Sequence, residues 1–494
     1  MARVWHKIPI YRDNIPKYIL NGAIGVYFIA VATLFVLYRS YLMSLMWVLI
    51  GGAFIMMFFY GSKQIAAKWR YLHPKRFEKK LFQTALALRL TITTLLYGFF
   101  YVMTDGCFDF EPADVEWYHE VASDIATWFY NGNLNIWQTF NIVTGGRVGL
   151  DDSGYPLYLS VVYILTNKSI LLARLVQCVW STYTCLFVYR IAQRHFEEPT
   201  ARLAAIFCMF MPNMVIYCGL HLKETVMTFL TLWFVDRADA LIINRNFSFR
   251  TVIDVALIGL SLFSFRTVLG AALFLSFAMA LVFSSTRLIR GGRRTLLIAL
   301  SFIFVVTAFS GRLKEEVMTI VNSDIRGQQR TSMQLRYGSG KGSGGNRFVD
   351  NIGAAVFAPL IFTLPFPTMV NPDGQEQKLL MHGGNYVKNV MSGLVILSMF
   401  MMLFGGDIRS LDAEWRKHVL PLAVYLGYLV ILTFSQFAHS ERFHQPILPF
   451  AMLFAAYGLT HFKPRQRWMW SLWLVVIFAI CIGWQYIKLR GRGY

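Results

Sequence analysis

The chain has 494 residues, of which 56% are hydrophobic, 16% aromatic and 15% charged, with a formal net charge of +20. That composition excludes a soluble globular domain, because so much apolar side chain would leave large exposed patches in water. The positive charge does not mark a nucleic-acid partner either: Lys and Arg fall mainly in alternate short loops between apolar runs, the positive-inside pattern of a polytopic membrane protein.

A hydrocarbon core of roughly 30 Å needs about 20 apolar residues per helix. Thirteen spans are expected in chain order, at 18–37, 42–60, 83–103, 170–189, 202–218, 223–241, 252–265, 268–285, 295–310, 387–404, 418–434, 446–461 and 468–486. Residues 252–285 read as two spans, since a single helix there would overshoot the bilayer and put Arg266 near its middle. With a cytoplasmic N-terminus, the loops Lys63–Lys80, Arg190–Arg202, Arg237–Arg250, Arg287–Arg294, Arg409–Lys417 and Lys463–Arg467 share the inner face. The tail Lys488–Arg492 breaks that rule. The first apolar run has no small-residue cleavage site and a second span follows closely, so no removable signal peptide is expected. Of six cysteines only Cys107 falls clearly in an outer loop, and no disulfide framework or CxxC metal site is present.

The third span delivers the chain to an acid-rich loop, Thr104 to Ser153, whose core is Asp105-Gly-Cys-Phe-Asp109-Phe-Glu111-Pro-Ala-Asp114-Val-Glu116-Trp-Tyr118-His119-Glu120. Carboxylates gather at a membrane protein's boundary where they serve chemistry or sit in water. Val115, Tyr118, Val121, Ala122, Ile125, Trp128 and Phe129 recur at helical spacing, with Glu116, His119, Glu120, Ser123 and Asp124 opposite. This predicts an amphipathic helix lying on the membrane surface. Asp114 at its start has two readings: a helix N-cap, worth about 1 kcal/mol, or a general base for an acceptor hydroxyl.

Three further polar clusters fall on the same outer face: His221-Leu-Lys223-Glu224-Thr225, Phe265-Arg266-Thr267, and Ser440-Glu441-Arg442-Phe443-His444-Gln445-Pro446-Ile447-Leu448-Pro449. A Lys-Glu pair at a helix mouth has an ordinary hydrated role, but an arginine at this depth is costly unless it meets an anion or reaches water. The segment 311–386 is a long outer insert containing Tyr337-Gly-Ser-Gly-Lys-Gly-Ser-Gly-Gly-Asn346, too glycine-rich for stable helix or strand. Its Lys314, Arg326, Arg330, Arg336, Lys341 and Arg347 suit either closure over an anionic ligand or contact with anionic lipid head groups. The glycine run lacks the GK[ST] ending of a phosphate-binding P-loop. His119, His221, His382, His439 and His444 face outward without ligand spacing, so no metal and no other cofactor is expected.

The segment Asp114-Val-Glu-Trp-Tyr118-His119-Glu-Val-Ala122 resembles the acidic first-loop motif of GT-C membrane glycosyltransferases, in the bacterial branch akin to protein O-mannosyltransferases and aminoarabinose transferases. Other pieces follow in the family's order: Gly154-Tyr-Pro156-Leu-Tyr158 with Arg174, Tyr189 to Phe196, Lys223-Glu224, Arg266, and Glu441-Arg442-Phe443 with Pro446 and Pro449, similar to a late ER(Y/F)xxPxxP motif. The resemblance covers roughly residues 83 to 460. Two departures stand out. Asp114 is followed by Val115 rather than Glu, which leaves Asp109, Glu111 and Glu116 as alternative working carboxylates, and the second acidic position is Glu224 where relatives often have Asp.

The resemblance implies an all-α, polytopic GT-C-like bundle. Its organisation would be an N-terminal segment and transmembrane hairpin at 1–82, a catalytic membrane module at 83–310 with first outer loop 104–169, a flexible outer loop at 311–386, and C-terminal transmembrane helices at 387–494. It further implies inverting transfer from a polyprenyl-phosphate sugar to a glycan, lipid or protein acceptor, on the outer face of a bacterial inner membrane and amid membrane lipids. Asp114 and Glu224 would be catalytic, with Arg266, Arg442, Lys223, His119, Tyr118 and Glu441 binding substrate. Two other classes fit some of these features: an envelope-polysaccharide ligase or polymerase with a lipid-diphosphate donor, and a flippase for a lipid-linked anion, which lacks support from any inverted repeat.

Overall fold

The computed structural model describes residues 15–104, 106–111, 113–145, 152–244, 249–283, 360–371, 375–404, 418–433 and 438–491. The expected span 295–310, the glycine-rich run and its flanking cations lie outside them. The described residues form helices joined by turns, with one isolated bridge between Leu42 and Val370 as the only β pairing among them.

In chain order the helices are α1 (Lys17–Leu37), α2 (Leu45–Met56), α3 (Ser62–Trp69), α4 (Pro74–Met103), α5 (Ala113–Tyr130), α6 (Ile136–Thr144), α7 (Gly154–Thr166), α8 (Ile170–His195), α9 (Glu198–Phe210), α10 (Pro212–Cys218), α11 (Glu224–Asn244), α12 (Phe249–Phe265) and α13 (Thr267–Phe283). The later part supplies α14 (Glu376–Phe404), α15 (Val419–Thr433), the short α16 (Glu441–His444), α17 (Leu448–Thr460) and α18 (Arg467–Gly491). Among the described residues six helical stretches are long and apolar enough to cross a membrane: α1, the run Leu45–Trp69, α4, α8, α14 and Pro464–Arg490. The pair α9 and α10, bent by 49° at Met211–Pro212, makes a seventh if taken as one span. The protein is therefore polytopic, and all-α among the described residues. The other expected spans coincide with helices that are short, such as α13 and α15, or that carry charge, as α11 does with Glu224, Asp236, Arg237 and Asp239.

Helix α8 forms the hub, packed on α4, α9 and α11, while α14 joins α2, α10 and α17. The basic turns gather at one end of this bundle. Arg194 pairs with Asp236 and Asp239, Arg190 with Glu78, and Arg202 with Glu198, and the ring of Phe196 stacks on His418 at the start of α15. Lys488, which breaks the charge rule, lies near the chain's end and is buried, donating to Thr368 Oγ1 at 2.6 Å and Gln375 Oε1 at 3.1 Å. Internal hydrogen bonds, not loop charge bias, account for that lysine.

The acid-rich loop departs from expectation in one respect. The apolar stripe of α5 does form, but Val115, Tyr118, Val121, Ala122 and Ile125 are buried. Helix α7 packs along α5, and Tyr118 meets Tyr155 edge-on at 4.9 Å. Most of this stripe is thus covered by protein and not by a membrane surface: besides α7, Val143 of α6 joins Val121 and Ile125 in a small apolar cluster, while Phe129 stays exposed. The neighbouring α6 leaves Ile136 and Trp137 exposed instead. Asp114 also lies inside the first turn of α5, which begins at Ala113, and so is not the N-cap.

Candidate active site

Four segments meet at the end of the bundle opposite the basic turns. The chain leaving α4 folds back on itself as Thr104 Oγ1 donates to the Phe100 carbonyl at 2.8 Å and the Phe108 carbonyl at 3.0 Å, and Arg174 of α8 donates to the Cys107 carbonyl. The loop before α17 is fixed from beneath by α14 and α10. Asn385 Nδ2 donates to Glu441 Oε1 at 3.0 Å, Asn213 Nδ2 to Asn385 Oδ1 at 3.0 Å, and Gln445 Nε2 to the Asn213 carbonyl at 2.9 Å. Gly384 makes room for this: a Cβ there would sit 1.5 Å from Asn213 Oδ1. One turn further along α14, Lys388 meets His444 Nδ1 at 2.9 Å, while His444 Nε2 faces the Ala438 carbonyl at 2.8 Å. The carbonyl requires the proton on Nε2, so Nδ1 accepts from the lysine.

Arg442, held this way, is the centre of the cluster. Its Nη1 donates to Asp114 Oδ2 at 2.7 Å and its Nε to Glu224 Oε1 at 3.0 Å. Glu224 is fully buried, and the same oxygen lies 3.8 Å from Arg266 Nη2, whose guanidinium stacks on Phe443 with its centre 3.9 Å from the ring centroid. Lys223 pairs with Asp152 and reaches the Phe265 carbonyl at 3.3 Å. Burial opposes the charge on Arg442, but Glu224 and Asp114 outweigh it and raise its pKa above the ordinary value.

The two kinds of carboxylate differ. Asp114 and Asp152 have side chains 57% and 50% exposed, whereas Glu224 is 0% exposed. An arriving anion can therefore replace the two outer carboxylates on Arg442 and Lys223 while Glu224 continues to hold both guanidinium groups. Arginine's fork geometry suits phosphate oxygens.

Behind the charges is an aromatic wall. Tyr118 is buried, and burial followed by the nearby Glu224 raises its pKa, so its hydroxyl keeps its proton. His119 Nδ1 lies 2.7 Å from the Tyr163 hydroxyl, which lies 3.1 Å from His221 Nε2. Burial lowers the pKa of both histidines, that of His221 well below the usual range, and leaves them neutral at neutral pH. Asp109 is buried, and burial pushes its pKa up to about 6 against the opposing pull of Arg174 and Arg442.

Of the residues singled out from sequence, Asp114, Lys223, Glu224, Arg266 and Arg442 come together as one cluster, with Tyr118 in its electrostatic reach. Glu441 turns to Asn385 rather than to the cluster, and His119 belongs to the Tyr163 chain. Asp152, Asn213, Asn385 and Lys388 were not foreseen; an asparagine or lysine inside an apolar run, as at all three helical positions, is the signal that could have found them. Among the described residues no three His, Cys, Asp or Glu side chains gather as a metal set.

Residues 384–493 match the Alg9-like mannosyltransferase family, a stretch that takes in Asn385, Lys388 and the whole of the Arg442 loop. This match supports a glycosyltransferase of the GT-C type, acting in a membrane on a lipid-linked sugar donor and a glycan acceptor. No curated protein and no solved structure matches the chain.

Proposed function

We propose that the protein is an inverting glycosyltransferase that moves a sugar from a polyprenyl-phosphate donor to an acceptor hydroxyl on the outer face of a membrane, a bacterial inner membrane in the first instance. The observation that carries this reading is the graded carboxylate set on Arg442 and Lys223: one buried partner, Glu224, that stays on Arg442, and two exposed partners, Asp114 on Arg442 and Asp152 on Lys223, that a phosphate can replace. The charged helix α11 and the shorter helices α12, α13, α15 and α17 complete the transmembrane bundle in this reading.

In the proposed reaction the donor phosphate binds Arg442, Arg266 and Lys223 and frees Asp114. Asp114 then takes the proton of the acceptor hydroxyl as its oxygen attacks the anomeric carbon from the face opposite the phosphate. The bond from that carbon to the phosphate oxygen breaks with its electron pair, and polyprenyl phosphate leaves as an anion that the two guanidinium groups stabilise. Because the leaving group needs no proton, one carboxylate serves where a glycoside hydrolase generally uses two. Glu224 keeps both arginines aimed, and the Tyr118 hydroxyl is a donor for the sugar or phosphate.

The test is release of free polyprenyl phosphate by purified protein from polyprenyl-phosphate sugars, with mannose first because the matched family is named for it, in the presence of membrane-extract acceptors. Asp114→Asn should bind donor as wild type does and lose about 10²–10⁴-fold in turnover. Full activity in that variant would remove Asp114 as the base and turn attention to Asp109. Turnover with diphosphate donors alone would favour a ligase or polymerase.

A further inference from the structure

The active-site loop has two kinds of exposed surface. Along most of α5 the exposed side chains are acidic, Asp114 and then Glu116, Glu120 and Asp124 at intervals of four. From Ile125 to Gly146 there is no Asp, Glu, Lys or Arg, and the surface changes character. Phe129 at the end of α5, Leu134 in the following turn, and Ile136, Trp137 and Phe140 on α6 are all exposed, Ile136 by 81% and Trp137 by 78%. Water accounts for the acidic surface. An uncharged apolar patch instead marks a place where something docks.

Hydrogen bonds set the depth of this patch. The Tyr130 hydroxyl donates to the carbonyls of Tyr163 and Ile164 at 3.2 and 2.8 Å, and Lys168 Nζ donates to Thr127 Oγ1 at 2.5 Å. The last turn of α5 is thereby fastened to the end of α7 and the turn into α8, the point where a membrane-crossing helix begins at Ile170. The exposed apolar surface continues there: Leu165, next to the carbonyl that Tyr130 holds, is 79% exposed, and Val161 one turn earlier is exposed as well. The chain then reverses tightly, with the Asn133 N–H donating to the Trp128 carbonyl at 2.9 Å and Gly132 in the left-handed region at φ 69°. Helix α6 runs back along α5 until Val143 meets Val121 and Ile125. Its first turn, with Ile136 and Trp137, therefore stays at the α8 end of the loop. Ile136 and Phe140 are one turn apart on one side of α6, and Gln138 stands on the other.

We propose that Ile136, Trp137 and Phe140 dip into the lipid surface of the leaflet on the active-site side, so that α6 is the element of this loop that rests on the membrane. A tryptophan suits the headgroup level, where its ring is partly apolar and its N–H is wet. The carboxylates of α5 stay in water, because a negative lipid surface potential repels them. Lipid contact at α6 then fixes the height of the helix that carries Asp114. The inference is independent of the transferase reading, and its test involves no turnover.

The full chain is placed in nanodiscs of phosphatidylethanolamine and phosphatidylglycerol, with a nitroxide on single cysteines introduced in a Cys107→Ser background, the other native cysteines being buried. Collision rates with oxygen, which concentrates in lipid, and with a water-soluble nickel chelate give the depth of each label. Oxygen should dominate at Ile136→Cys, Trp137→Cys and Phe140→Cys, with a depth of about 5–10 Å into the headgroup and acyl boundary. The nickel chelate should dominate at Gln138→Cys and at Glu120→Cys on α5. Melting checks the fold of each variant, and Ile136 and Trp137 are exposed enough for their replacement to remove little packing. In the unlabelled protein, brominated lipid should quench the part of the tryptophan emission that Trp137→Phe removes. Nickel dominance at the three apolar positions, or emission from Trp137 that brominated lipid leaves intact, overturns the lipid contact. Low rates with both reagents there mean cover by protein, a second copy or a partner, and overturn it equally. Oxygen dominance at Gln138 as well as Ile136 means that α6 is submerged whole and overturns the orientation.

Discussion

Two arginines divide the molecule by purpose. Arg89, in the middle of α4, is 0% exposed, and all five of its N–H groups meet neutral acceptors. These are Ser181 Oγ at 2.7 Å, Cys185 Sγ at 3.3 Å, and the carbonyls of Ala85, Cys208 and Met209 at 3.4, 3.2 and 3.3 Å. Its position follows from a proline. Residue 212 lacks the N–H that the Cys208 carbonyl would accept in a continued helix, and the 49° bend strands the Met209 carbonyl too. Arg89 takes both. Arg442 is instead partly exposed and bound to carboxylates, one of them at the surface. A guanidinium saturated by neutral acceptors mends a broken helix, whereas one shared between a buried and an exposed carboxylate is ready to exchange a partner.

The sharpest way to break this contrast is to remove each arginine. Arg442→Ala leaves Glu224 buried with only Arg266, at 3.8 Å. Stability should drop by about 3–5 kcal/mol and turnover by about 10²–10³-fold, measured by thermal melting and polyprenyl-phosphate release. Arg89→Ala should cost about 1–3 kcal/mol for each carbonyl left without a partner, yet the folded fraction should keep wild-type turnover per molecule. Turnover lost beyond the loss of folded protein would place Arg89 in the chemistry and end the division.

The smallest effect concerns Asp109. Its pKa is raised from 3.8 to about 6 in the folded protein, so the native state holds more protons than the unfolded chain between those values. The contribution of Asp109 to stability is thus greatest below about pH 4 and is lost as pH rises through about 6. Asp109→Asn should gain in melting temperature relative to wild type between about pH 5 and about pH 7.5. A gap that stays constant across that range would show that the buried carboxyl is not the titrating group.

How much of this could be read in the residues depends on whether the cause was local. Six of the thirteen expected membrane spans were legible because apolar length is a property of the segment itself, and the convergence of Lys223, Glu224, Arg266 and Arg442 because charge at a span's mouth is visible without knowing the partner. Arg89 was passed over, since its acceptors exist only once Pro212 has broken a helix more than a hundred residues later. The surface helix at 113–130 was misjudged for a related reason: its amphipathic spacing is real, but the spacing cannot say whether lipid or α7 covers the apolar stripe. Asp152 was missed because a single acid in a polar loop carries no pattern.

The ion pair between Arg442 and Glu224 joins residues 218 positions apart, and this orders the protein's birth. Arg89 has all its acceptors once Pro212 has been made and the bend can form, so the first half of the bundle can close early. Glu224 cannot: at 5–20 residues per second its main counter-ion follows about 10–40 s later. Through that interval the carboxylate must wait at the water boundary or protonated, and the nascent chain holds an unfinished polar seam. Chains truncated before residue 438 should consequently be recognised and degraded as incomplete, even though most of their spans are already in place.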